Sequence, residues 1–163
     1  MNSLALAMNE APWDFGSDTG RFSKAKTAPF RIAAPQVSEP TTSTEPIWFE
    51  STLAQFLKLA ELENDWDGRG SAAVRLDVLS FALRSVLPEI MPPTAPAPAV
   101  IPLGHGGIQL VWNTAKAEID IEVVAPYDVI AYRFDKASGN EVEERLTNNF
   151  STLANFMWET FKG

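Results

Sequence analysis

The sequence predicts a single α+β domain over residues 47–163, preceded by a flexible Pro/Ser/Thr-rich tail over residues 1–46. Three observations support this. Apolar residues recur at helical spacing near both ends of the domain, and they alternate with polar residues in its middle. Five of the twelve prolines lie in the tail, at positions 12, 29, 35, 40 and 46. We therefore expect two N-terminal helices, an antiparallel meander of three to five strands, and a C-terminal helix packed on one sheet face.

Two helices are predicted at the start of the domain. Apolar residues between Leu53 and Ala60 follow the i, i+3, i+4, i+7 spacing of one helical face, and Ser51 is the candidate N-cap. A second helix is predicted over about residues 74–87. Pro88 is expected to end it, because proline lacks the backbone donor that a helix interior needs.

The middle of the domain has the period of two that is typical of strands with one buried face. In the segment 130–134 we expect Ile130, Tyr132 and Phe134 to form the buried side. Weaker strands are predicted near residues 100–103 and 141–145, and an apolar stripe from Phe150 to Phe161 predicts the last helix. The clearly alternating segments are 108–112, 119–123 and 130–134.

Charge and composition exclude several classes of function. The chain of 163 residues has 13 Lys and Arg against 21 Asp and Glu, for a formal charge of −8. Most of this charge belongs to the domain, where nine basic residues face sixteen acidic ones. An acidic domain disfavours direct binding to nucleic acid or to an anionic membrane. The absence of cysteine excludes disulfides, thiol nucleophiles and thiolate metal sites.

The N-terminal sequence gives no sign of export. The apolar run near residues 4–8 is short, and no Lys or Arg precedes it. A secretory signal needs a basic region followed by roughly 7–15 apolar residues. We therefore expect a cytoplasmic protein.

Candidates for metal binding or catalysis are few. The spacing of Glu63, Asp65 and Asp67 before a glycine resembles the start of a calcium loop, but Val74 stands where the loop needs its bidentate glutamate. A turn between helices is the favoured interpretation, and these carboxylates remain weak metal candidates. The one histidine, His105, lies among glycines before a strand and could act as a general base. We predict no catalytic residue and no cofactor.

Candidate contact residues for a partner lie in two places. Glu118, Asp120 and Glu122 share one face of a predicted strand, roughly 7 Å apart from one to the next. Such a face either keeps the sheet soluble or attracts a partner protein with a basic surface. In the tail, aromatic and apolar residues within polar sequence are candidate anchors for a partner groove. These tail residues are Trp13, Phe15, Phe30 and Ile32.

Two motifs carry a resemblance to known proteins. Residues 66–70 read Trp-Asp-Gly-Arg-Gly, and residues 106–112 read Gly-Gly-Ile-Gln-Leu-Val-Trp. The chain resembles small uncharacterised bacterial proteins that share a Trp-Asp-Gly-x-Gly joint and a Gly-Gly-Ile-x-Leu-x-Trp hairpin. The resemblance covers about residues 50–160, and Val111 stands where those proteins more often have an acidic residue. It implies an accessory or partner-neutralising role of the kind encoded on mobile elements, and it assigns no catalytic residue.

Three hypotheses for function follow. The first is a non-catalytic acidic module that binds another protein, most concretely as an antitoxin or inhibitor. The second is a structural component of a phage particle or other large assembly, in which neighbours order the tail. The third is a small metal-dependent enzyme that uses Glu63, Asp65, Asp67 and His105. The sequence does not predict an oligomeric state.

Overall fold

The structure, a computed structural model, describes residues 45–162. Within this range, helices precede a five-stranded antiparallel sheet and a further helix follows it, which confirms the predicted α+β class. No helix of this range has the length and apolar character that crossing a membrane would require. The elements are α1 (Phe49–Ala60), α2 (Leu76–Phe81), a π-helical turn (Ala82–Val86), α3 (Leu87–Ile90), β1 (Ala99–Pro102), β2 (Ile108–Asn113), β3 (Ala117–Ala125), β4 (Asp128–Asp135), β5 (Asn140–Leu146) and α4 (Ser151–Phe161).

Helix α1 begins before Ser51, the predicted N-cap. Trp48 precedes the first helical residue and is buried in the core, which anchors the start of the helix. The hydroxyl of Thr52, also buried, donates a hydrogen bond of 2.7 Å to the Trp48 carbonyl. The apolar stripe of α1 is only partly covered, because Phe56 lies in the core while Leu57 faces solvent.

The second helical segment does not end at Pro88, so that prediction was wrong. The chain continues from α2 through the π-helical turn into α3. In this turn the Leu87 N–H bonds to the carbonyl of Ala82, five residues back. A wider turn directly before Pro88 accommodates a ring that would clash with the preceding turn of a regular α-helix. Proline therefore changes the hydrogen-bond pattern here, and the helix continues to Ile90.

The sheet is a simple meander. Its strands lie in chain order from β1 to β5, and each pairs antiparallel with the next. All three strongly alternating segments and both weaker ones form strands, so the predicted upper limit of five is met. Short hairpins join β2 to β3, β3 to β4 and β4 to β5, as expected where consecutive strands are neighbours.

The core lies between one face of the sheet and the helices. Alternate residues of β2 and β3 are buried, as are two residues of β4, and the inward side chains of the helices join the same cluster. Burying this face gives the chain its main favourable free energy of folding. The largest fully buried side chains are Phe150, Leu87, Ile90, Ile108, Leu110, Ile119, Ile121, Leu153 and Met157.

The buried face of β4 is opposite to the one predicted. Val129 and Ala131 are buried against the helices, whereas Ile130, Tyr132 and Phe134 are half-buried on the other face. The alternation by itself favoured the larger apolar set. Cross-strand pairing decides which face of β4 is buried, because each β4 residue must share a face with its partner on β3.

Candidate functional site

The sheet face that the helices leave uncovered is rich in carboxylates. The predicted trio on β3 lies on it, and strand pairing places three β4 residues beside that trio and two β5 glutamates beyond them. All are half-buried or exposed. We call this surface the acidic face. Its members are Glu118, Asp120 and Glu122 of β3, Ile130, Tyr132 and Phe134 of β4, and Glu141 and Glu143 of β5.

A row of apolar side chains on β4 runs through the middle of the acidic face. Tyr132 is paired with Asp120 on one side and with Glu143 on the other. Phe134 likewise has a glutamate on each side, and Ile130 has one on its β3 side. Aromatic rings flanked by carboxylates can contact a long basic side chain along its stem and neutralise its charged end.

Asp120 occupies the centre of the face without an ionic partner. No hydrogen bond or ion pair to its carboxylate is present among residues 45–162. Partial burial, and next the negative charge of Glu118, raise the pKa of the Asp120 carboxyl above its usual value. Partial burial and the neighbouring carboxylates, Glu141 first among them, raise the pKa of the Tyr132 phenol. The negative charge at the centre of the face is therefore only weakly compensated.

A lysine and a histidine contact the two ends of the β3 trio. The Lys136 ammonium lies 3.1 Å from the Glu118 carboxylate, and the His105 ring lies 3.0 Å from that of Glu122. Lys136 also donates to the carbonyl of Thr114, which holds it at the hairpin end of the sheet. Within the described range, the carboxylates of the face that contact neither a lysine nor a histidine are Asp120, Glu141 and Glu143.

His105 is held at the surface. Its Nδ1 accepts a hydrogen bond of 3.3 Å from the Gly107 N–H, and its Nε2 is then free to donate to Glu122. The imidazole side chain is 47% exposed. Among residues 45–162 its carboxylate contact is to Glu122, and it makes no hydrogen bond to Glu63, Asp65 or Asp67.

Two of the carboxylates that were weak metal candidates, Asp65 and Asp67, bind their own turn. Asp67 accepts from the Arg69 N–H and from the Ser71 hydroxyl, at 3.0 and 2.7 Å. These bonds, that of Ser71 first, hold the pKa of Asp67 below its usual value. Asp65, at a φ of 67°, accepts a bond of 2.6 Å from the Gly70 N–H. Among residues 45–162 no three His, Asp or Glu side chains are grouped closely enough to hold a metal ion.

The segment that follows the first motif, residues 72–75, packs against the glycine-rich loop 104–106 at the start of the second, which the sequence did not predict. The Ala72 N–H donates to the Gly104 carbonyl at 2.8 Å, and the Arg75 N–H donates to the Gly106 carbonyl at 3.0 Å. Gly106 has a φ of 87°, and a Cβ there would lie 2.9 Å from the Ala73 carbonyl oxygen. The glycines thus allow two backbone segments to approach closely.

Searches with this chain find no matching protein-family model, curated protein or solved structure. The likeness to small bacterial proteins therefore stays a prediction from the two motifs. The predicted tail anchors, Trp13, Phe15, Phe30 and Ile32, lie outside the described residues, and their role likewise stays a prediction.

Proposed function

We propose that this protein is a non-catalytic interaction module whose acidic face binds a basic surface of another protein. An antitoxin- or inhibitor-like role, in which binding blocks the partner, is the most concrete form of this proposal. The observation that carries it is Asp120, an unpaired carboxylate at the centre of the uncovered face, beside a half-buried tyrosine.

A purely solubilising face would not need this combination. Scattered charges on a sheet face suffice to keep it in solution, and they need no apolar row between them. Ile130, Tyr132 and Phe134 instead offer apolar area beside the carboxylates. Binding sites between proteins commonly combine aromatic residues at the centre with charges around them, because the former stabilise the complex and the latter select the partner.

Long-range electrostatics also favours this assignment. The domain carries most of the negative charge of the chain, and the acidic face concentrates five carboxylates on β3 and β5, the strands on either side of β4. Such a field increases the rate at which a basic partner associates, and salt weakens the effect. We therefore expect the association rate to fall steeply with ionic strength.

Affinity capture with matched charge variants tests the proposal. The face variant is Glu118→Lys/Asp120→Lys/Glu122→Lys. The control carries the same change in charge at three exposed glutamates outside the sheet, Glu50, Glu61 and Glu63.

We expect the wild type and the control to capture the same basic protein from the native host, and the face variant to lose it while keeping its circular dichroism spectrum. Titration of the purified pair then gives the affinity. If the face variant and the control retain the partner equally well, the acidic face is not the binding surface.

A further inference from the structure

The outer edge of β5 is open. Strand β5 is the last in the sheet order, and within residues 45–162 the backbone of 141–146 makes no hydrogen bonds other than those to β4. Alternate residues of a strand direct their N–H and C=O groups to each side, so about three of these six residues offer theirs outward. Such an edge can accept another strand.

The opposite edge of the sheet is closed by α1. The Gln55 side chain accepts from the Val100 N–H at 3.0 Å and donates to the Pro98 carbonyl at 2.9 Å. In addition, β1 has four residues and ends on Pro102. Strand addition at this edge is prevented because Gln55 occupies outward backbone groups and because Pro102 has no N–H to donate. Of the two edges in the described part of the chain, only β5 is therefore available.

A groove runs beside β5 on its helix side. It encloses about 340 Å³ between α4 and the strands β4 and β5. Val142 and Phe156 give it an apolar side, and Asn155 and Glu159 of α4 form its polar rim. The Arg133 side chain at its base is already engaged, because its guanidinium lies 3.2 Å from Glu144 and over the Phe156 ring.

The carboxylates around the edge of β5 favour binding of a positively charged segment. On the acidic-face side of β5, Glu141 and Glu143 are exposed and have no ion pair among the described residues, whereas Arg145 on the same side is already paired with Asp128. On the groove side, the Asp135 and Glu159 carboxylates line the space.

We propose that β5 accepts an extended cationic segment of the partner protein as a sixth strand. Side chains of that segment alternate between the two sides of the sheet. Basic residues on one side meet Glu141 and Glu143, and apolar residues on the other enter the groove beside Val142 and Phe156. The partner segment therefore alternates basic and apolar residues. The inference rests on the proposed function, from which it takes the positive charge of the partner. It adds that the partner binds at the edge of β5 and does so as an extra strand.

A synthetic peptide that alternates lysine and valine tests strand addition on the full-length protein. The matched control is the same peptide with N-methyl groups on the amides that would face β5, because methylation removes backbone donors and keeps the charge. We expect the first peptide to protect outward amides of β5 from hydrogen exchange and the methylated one to bind about tenfold more weakly, the effect of losing one or two hydrogen bonds.

Two protein variants separate this inference from the proposed function. Glu141→Lys/Glu143→Lys changes the edge and should abolish peptide binding. The Glu118→Lys/Asp120→Lys/Glu122→Lys variant should bind the peptide nearly as the wild type does. Its altered strand lies three strand spacings from the added one, roughly 14 Å, which exceeds the Debye length at physiological salt.

Equal binding of both peptides without protection of β5 would overturn strand addition, and so would an absence of binding. Dimerisation through β5, seen by light scattering and abolished in the edge variant, would also overturn it by making a second copy the occupant. None of these results decides whether the acidic face captures a partner, since that is measured separately with the face variant.

Discussion

Replacing Gly106 by alanine tests the contact between residues 72–75 and the glycine-rich loop 104–106 most directly. At a φ of 87° an alanine is in a region that L-residues rarely adopt, which costs about 1–2 kcal/mol. Its Cβ would also lie 2.9 Å from the carbonyl oxygen of Ala73, a backbone atom that cannot turn aside. Overpacking of this kind adds about 1–3 kcal/mol. We therefore expect Gly106→Ala to lower the free energy of unfolding by about 2–5 kcal/mol.

Gly139 provides the matched control. Its φ of 70° imposes a similar backbone penalty, but a Cβ there would meet nothing within 4 Å. Gly139→Ala should therefore lose only about 1–2 kcal/mol. Chemical denaturation of both variants measures the two values, and thermal melting should follow at about 4 °C per kcal/mol for a domain of this size. Equal losses in the two variants would refute the close approach of residues 72–75 to the loop 104–106.

Three further outcomes are expected. Asp120→Asn should raise the free energy of unfolding at neutral pH, because burial and Glu118 raise the pKa of that carboxyl in the folded state and its ionisation therefore disfavours folding. The gain should disappear as the pH falls below the usual aspartate pKa of about 3.9, where folded and unfolded chains are both protonated; a gain unchanged at low pH would contradict this reasoning. Gln55→Ala should lower stability by about 1–3 kcal/mol in urea denaturation, since it leaves the Val100 N–H without its partner, and no loss would mean that water replaces the amide fully. Tyr132→Ala should weaken binding of the captured partner by about 2 kcal/mol or more in a titration while the circular dichroism spectrum is kept. Unchanged affinity would show that the apolar row of β4 is not part of the interface.

The local pattern was sufficient for most of the secondary structure. The period of two over 108–112 and 119–123 predicted both the strands and their buried faces, because one side of each strand is consistently apolar. It failed at β4, where Ile130, Tyr132 and Phe134 are larger and more apolar than the residues that are buried. Whether a strand turns one side or the other to the helices depends on its register with a neighbour, and register is a property of pairs of strands.

Proline at position 88 is a second place where a rule based on local sequence gave the wrong prediction. The sequence rule that proline ends a helix depends on regular α-helical geometry. The turn before Pro88 is π-helical, so the clash that the rule assumes does not arise. Burial of Val86, Leu87 and Ile90 in the core stabilises the continued helix more than the irregular turn weakens it.

The candidate site was predicted in part. The trio Glu118, Asp120 and Glu122 was recognised because a shared strand face follows from spacing alone. The apolar row of β4 beside it was missed, since those residues were assigned to the core. The two motifs were each visible as glycine-containing segments, but nothing in either predicted that the chain after the first would pack against the loop at the start of the second.

The sequence by itself determined the order of helices and strands, the acidity of the domain and the lack of cysteine chemistry, because each depends on residues close together in the chain or on composition. Only the tertiary structure decided which face of β4 is exposed, which carboxylates lack an ionic partner and which sheet edge is open. These depend on contacts between residues distant in sequence. Their energies are set by packing and pairing, which no local pattern contains.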